Sequence, residues 1–471
     1  MYCFGVPRKA RFHFWREGLC IWRAAGPLPI GVPEAPGNPR RDSCIHVRMK
    51  RIVAALILLS ALSARSQDEP VITLTGTILD ASTGEPIAYA TIALSTGEIS
   101  TLSNEEGWFI FKIPVSRQND SVFITHVGYH NLALPAGNLG PGPGATKGGA
   151  TLRLQQAPTE LADITVRPPD GWALIQQAID RVPENYPNRP FVLTGFYRST
   201  STLPHPKHII GISEALFTLY SPDNRREDMQ FRLIRGRNDK DLTAMDGQSW
   251  SMGFRPDDIM NRDMISRIHQ TQILGDEGHN DHQFTYGGVI DYEGRPAYEI
   301  RFDQKDGIVR PLYKGRIIID TASMAFLCFD YGISPKGLSY QRRTGGPAHN
   351  DQTDVGIIIR YKRYGGKYYL HQTFLTGGIH SYIDGKRPVD YDTLRIRVNC
   401  LITRIDTGFV AFSRAGNKLD NARTIENQLK ANADAKGDAY WENYNLIKAD
   451  YNVDSALAVI RSNNARGKKR E

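Results

Sequence analysis

The sequence predicts a mainly β protein: a small antiparallel β-sandwich followed by a larger antiparallel β-meander with a few covering helices. Three observations carry this expectation. Residues 71–156 fall into short runs with apolar side chains at every second position, separated by Gly, Pro and Asn-Asp turns. Residues 191–405 hold ten further β-rich runs, most of them joined by short polar turns. Helical periodicity is confined to a few stretches, the clearest at 171–182.

In the first region Ile72, Leu74 and Ile78 share one face, with Thr73, Thr75 and Thr77 on the other. Ala88, Ala90, Ile92 and Leu94 repeat the pattern after the turn Thr83-Gly84-Glu85-Pro86. Phe109, Phe111 and Ile113 follow Gly107, and Val122 and Ile124 follow Asn119-Asp120. Strands with one apolar face must close two layers over a shared core. The Gly- and Pro-rich run 135–150 places Lys147 after several glycines. It lacks the spacing of a phosphate-binding loop, and its prolines remove amide donors, so it reads as a mobile hairpin loop. Thr151–Gln155 then closes the sandwich.

Gly76–Ile92 (GTILDASTGEPIAYATI), Asn104–Phe109 and Ser121–His130 together resemble the carboxypeptidase regulatory-like domain. The matching features are a glycine-led strand, an Asp-x-x-Thr-Gly turn, an acidic turn with Gly-x-Phe, and a late strand with Gly128-Tyr129. The resemblance covers about residues 71–156. It implies a prealbumin-like, seven-stranded sandwich and no chemistry of its own, because in zinc carboxypeptidases the module accompanies a separate catalytic domain.

Residues 1–48 hold three of the five cysteines, many Arg and Pro, and no periodicity. Met49 then opens MKRIVAALILLSALSARSQ: a basic start, an apolar run at Ile52–Leu62, and small residues at Ala64 and Ser66. Residues 49–66 therefore read as a secretory signal peptide with cleavage before Gln67, and 1–48 as a mis-assigned extension. No cysteine follows the cleavage site, which argues against a lipid anchor. Residues 1–66 contain 11 Lys and Arg against 3 Asp and Glu, and the rest of the chain carries 47 of each sign. The overall charge of +8 therefore gives no reason to expect a nucleic-acid partner.

We read residues 67–156 as the sandwich and 157–170 as a linker. Pro158–Val166 resembles the short segment that follows this module in TonB-dependent outer-membrane receptors. Residues 171–418 form the antiparallel sheet domain, opened by the helix Gly171–Val182 that Pro183 stops. Tyr313–Phe329 and Ile357–His371 resemble hairpins of the periplasmic lipoprotein-sorting fold, which implies a half-barrel-like sheet around a helix and an acyl-chain ligand. Residues 419–471 form a helical tail, with one helix at Ala422–Ala431 and with Trp441 and Tyr444 docking it on the sheet.

No chemical motif stands out. No His has Glu three residues later, and H-E-x-x-H, C-x-x-C and G-x-S-x-G are absent, so we assign no catalytic, cofactor-binding or metal residue. The densest polar cluster, Asp276–His282 with His279 and His282, could ligate a metal but reads better as a solvated turn. Asp257 and Asp258 suit a helix start, and His126 suits a strand face as a satisfied core or rim histidine. Cys328 and Cys400 suit buried thiols, with a disulfide left open.

Three functions follow. The leading one is an exported, non-catalytic cell-envelope protein that binds or scaffolds, with a lipid or other apolar ligand. Runs such as Arg316–Ile319 and Gly356–Ile359, apolar on both faces, place that ligand on the concave face of the meander. The others are an accessory of a TonB-dependent outer-membrane transport complex, with an outer-membrane protein as partner, and a hydrolase with a scattered site. The expected location is the periplasm or outer membrane of a Gram-negative bacterium, or the medium, with no transmembrane segment after cleavage. N-terminal sequencing of protein recovered from the periplasm should return Gln67 first. Intact residues 1–48 there would refute the processing.

Overall fold

The computed structural model describes residues 70–139, 149–157, 168–204, 207–223, 229–244, 256–275, 278–340, 348–383, 394–408, 441 and 444–467. The expected signal peptide, the Gly- and Pro-rich loop at 140–148, the linker residues 158–167 and the helix at 422–431 lie outside them.

The alternating runs at the start form two sheets. One has the order β4-β1-β7, with β1 at Val71–Asp80, β4 at Trp108–Pro114 and β7 at Ala150–Leu154. The other has the order β3-β2-β5-β6, with β2 at Thr91–Leu94, β3 at Ser100–Leu102, β5 at Ser121–Thr125 and β6 at Leu132–Pro135. Leu74, Ile78, Ile92, Phe109, Phe111, Val122 and Ile124 are buried between the two sheets. One pairing departs from a purely antiparallel sandwich. β7 returns from the second sheet and runs parallel to β1, with Gly76 opposite Ala150 and Asp80 opposite Leu154.

The turns have identifiable causes. Asp80 accepts from the amides of Ser82 and Thr83, from Tyr129 Oη at 2.7 Å and from Gln156 Nε2 at 2.6 Å. The Ser82 hydroxyl also donates to it, and these bonds, that from Ser82 foremost, hold the carboxyl far below the usual carboxylate range. Gly107 sits at φ +72, where a Cβ would lie 2.4 Å from the Ile78 carbonyl, so the acidic turn before β4 requires glycine.

The ten later runs form one sheet of ten strands. The strands are β8 (Phe191–Pro204), β9 (Lys207–Ser221), β10 (Gln230–Lys240), β11 (His282–Asp291), β12 (Pro296–Gln304), β13 (Tyr313–Asp320), β14 (Phe326–Ile333), β15 (Ala348–Tyr364), β16 (Lys367–Ile383) and β17 (Leu394–Asp406). Their order is β10-β9-β8-β17-β16-β15-β14-β13-β12-β11. Every neighbouring pair is antiparallel. The sheet is therefore not one continuous meander. β8 pairs with the last strand, β17, and the consecutive strands β10 and β11 become its two open edges.

One face of this sheet is covered by α1 (Gly171–Asp180), α2 (Val182–Asn185) and the segment between the two edge strands. The Asp170 carboxylate caps α1 by accepting from Trp172 N at 3.0 Å. Leu174, Ile175 and Ala178 face Ile300, Ile317, Phe326, Phe329 and Ile359 in the same core. Met264, Ile265, Ile268, Ile273 and Leu274 of the crossing segment fill the remainder. Asp263 fixes that segment by accepting from Tyr361 Oη at 2.6 Å.

This packing covers part of both faces on which the apolar groove was expected. The crossing segment and the helices occupy the helix-covered face, and the C-terminal residues pack on the opposite one. Cys328 and Cys400 are free and buried. They lie on β14 and β17 with β15 and β16 between them, roughly 14 Å apart at ordinary strand spacing, which is beyond disulfide reach. Phe109 is fully buried, so Phe109→Ala should destabilise the sandwich by about 3–5 kcal/mol in denaturant titration. A change near zero would show that the core does not depend on it.

Candidate functional site

The face of the long sheet opposite the helices is built around a buried acid. Glu214 on β9 is fully buried. It accepts from Arg198 Nε on β8 at 2.6 Å and from Arg237 Nε on β10 at 2.7 Å. The Arg198 side chain also donates to the Ile447 carbonyl at 2.6 Å, which ties the C-terminal segment to the sheet. Trp441 is buried with Phe196, Leu216 and Leu446, and the Arg237 guanidinium lies over its ring at 5.6 Å. The aromatic docking expected of the tail is thus present.

The same segment reaches the sandwich. The Asn445 side chain accepts from Lys112 N at 2.7 Å and donates to Lys112 O at 2.8 Å on the edge strand β4. Lys448 Nζ lies 3.2 Å over the Trp108 ring. The last described helix, Val453–Gly467, buries Leu457 and Ile460 beside Ile212.

Where sandwich, sheet and C-terminal segment meet, a cavity of about 550 Å³ remains. Tyr89, Asn104 and Glu105 line it from the sandwich. Thr200, Thr202, Ile209, Thr376, Ile396 and Asn399 line it from the sheet, and Ile447, Ala449, Asp450 and Tyr451 from the C-terminal segment. Arg397 bridges the parts, 2.8 Å from Glu105 and 3.1 Å from Asp450. Arg395 pairs with Asp354 at 2.5 Å. Tyr89 Oη donates to Glu105 at 3.1 Å, and burial together with that carboxylate keeps the phenol protonated well above its ordinary range. Thr200 and Tyr451 hydroxyls share a bond of 3.0 Å.

A second polar cluster lies between sandwich and sheet. Ser100 Oγ and His371 Nε2 are 3.1 Å apart. Burial, with Lys362 and Arg360 nearby, pushes His371 well below its usual value, so its ring is neutral. Lys362 Nζ is buried without a hydrogen-bond partner, and burial lowers its pKa to about 7 against the pull of Glu293.

The residues weighed from sequence do not assemble a site. His279 stacks on Trp172 with ring centres 4.9 Å apart. His282 turns inward, with Nδ1 3.1 Å from the Gly278 carbonyl, and Asp281 pairs with Arg310. Asp276 and Glu277 lie outside the described residues, and among those described no three His, Cys, Asp or Glu side chains gather for a metal. Asp257 and Asp258 fall in a short 3₁₀ turn, Pro256–Asn261. His126 is half-buried, with its Nδ1 without a hydrogen-bond partner and backbone groups of Ala88 and Val127 beside the ring. Burial lowers its pKa, and Arg360 adds to the effect. The residues that do converge, Arg198, Glu214, Arg237, Arg395 and Arg397, were not singled out. The one available signal was Glu214, a lone acid within the apolar run Ile209–Tyr220.

No family model matches the sequence. No curated protein matches it. Among solved structures, it is similar to an outer-membrane lipoprotein-sorting protein domain from Vibrio parahaemolyticus, with 10% identity over 54% of this chain and 98% of that one, at a TM-score of 0.23. A DUF1329 family protein from Desulfovibrio piger matches at 11% identity over 51% and 95%, with a TM-score of 0.22. The Pseudomonas aeruginosa MucA/MucB complex matches at 10% identity over 50% and 97%, with a TM-score of 0.15. Scores this low do not carry function across.

The lysine gives a pH test. An unfolded Lys titrates near 10.4, so between about pH 7 and that value the unfolded chain binds more protons and stability rises with pH. Lys362→Met should therefore stabilise most at or below pH 7, by roughly a few kcal/mol, with the gain fading towards about pH 10.4. Equal gains across that range in denaturant titrations would disprove the assignment.

Proposed function

We propose that the protein is an exported, non-catalytic binding protein of the cell envelope whose ligand sits in the cavity between the sandwich, the long sheet and the C-terminal segment. The observation behind this reading is the cavity itself. Its volume of about 550 Å³ falls within the range of small-molecule sites, roughly 300–1,000 Å³. Three separate parts of the chain supply its walls, and Ile209, Ile396, Ile447 and the two tyrosines combine apolar surface with polar rims. Export rests on the signal-like residues 49–66, and the periplasm or outer-membrane surface is the compartment they imply. Among the described residues no helix is long and apolar enough to cross a membrane.

Native mass spectrometry of protein purified from the periplasm without detergent tests the reading. An added mass is expected, and Ala449→Trp, which fills the cavity, should remove it. A bare mass in the unsubstituted protein, or an added mass that survives the substitution, refutes the cavity as the site.

A further inference from the structure

The charges around the cavity are already committed to one another, and this restricts what can enter. Arg397 is held by Glu105 and Asp450, Arg395 by Asp354, and Arg198 by Glu214. The Lys448 ammonium has no carboxylate partner among the described residues, but it is turned onto the ring of Trp108, which is not part of the cavity wall. The lining carboxylates are the partners in those same pairs. An anionic ligand at Arg395 or Arg397 would have to displace the carboxylates that already pair with them, and this lowers the gain from binding it. What the walls still offer is apolar surface at Ile209, Ile396 and Ile447 and the hydroxyls of Thr202 and Thr376.

We propose that the ligand is an uncharged amphipathic molecule: an apolar body packed on the isoleucines, with neutral hydrogen-bonding groups turned to the threonines. This rests on the cavity being the binding site. The ion pairs act as a charge filter, and Asp354 keeps the Arg395 guanidinium from attracting anions.

Two fluorescent probes with the same aromatic frame test this. N-phenyl-1-naphthylamine is neutral, and 8-anilinonaphthalene-1-sulfonate adds one negative charge. Full-length protein is titrated with each, and the signal lost in Ala449→Trp is taken as cavity binding. Thr376→Phe, which blocks the cavity from the sheet wall, provides an independent control if the first variant does not fold. The neutral probe should bind at least about tenfold more tightly than the sulfonate, a difference of about 1.4 kcal/mol. Asp354→Asn should narrow that ratio about three- to fivefold by freeing Arg395. Equal or tighter cavity binding of the sulfonate, or an unchanged ratio in Asp354→Asn, overturns the charge filter. If neither probe gives signal that both cavity-filling variants remove, the cavity itself is not the site and the proposed function falls with it.

Discussion

The arrangement depends on one buried carboxylate held between two guanidinium groups. Glu214 has no exposed surface, and Arg198 and Arg237 approach it from the strands on either side. Such a triad adds little over a well-packed apolar core, because desolvation offsets most of the attraction. Breaking it is another matter. Loss of one partner leaves a bare charge in the interior, at a cost of about 3–5 kcal/mol. The triad therefore fixes which three strands are neighbours and gives Arg198 the orientation that receives the Ile447 carbonyl. The C-terminal segment, and through Asn445 and Lys448 the sandwich, are placed by that orientation.

A second constraint is topological. Because β8 pairs with β17, the three strands β8–β10 and the seven strands β11–β17 join along a seam between the first and last strands of the sheet. The segment connecting the two edge strands must then cross the sheet, and its apolar residues at 264–274 complete the core under the helices. Filling one face from within the chain leaves the opposite face for the sandwich and the C-terminal segment. The cavity lies on that opposite face, where the three parts meet.

Much of the fold was legible in the sequence, for reasons that can be named. Period-two alternation located β1, β4 and β5 of the sandwich, since it reports directly which face is buried, and the ten strands of the long sheet showed as β-rich runs between short polar turns. The Gly107 turn and the helix at 171–180 were equally local signals. The seam between β8 and β17 was not legible, because hairpin turns specify neighbours in sequence and nothing in a strand names a partner about 190 residues away. The site failed for the same reason. Arg397 looks like a solvent-facing residue of an alternating strand, and only the docked sandwich and C-terminal segment bring it the carboxylates of Glu105 and Asp450. Glu214 was the exception: an acid in an apolar strand must find a cation, and that much can be read without a structure.

The seam also sets an order of events for a chain delivered N-terminus first. β8, β9 and β10 can pair as soon as they emerge, yet the free edge of β8 has no partner until β17 appears about 190 residues later. Through that interval an unpaired strand edge stands open to any other extended chain. Long-range strand pairing is slow even when both partners are present. A protein built this way needs either low local concentration or a holding factor during its delivery, and its most vulnerable moment comes before the last strand arrives.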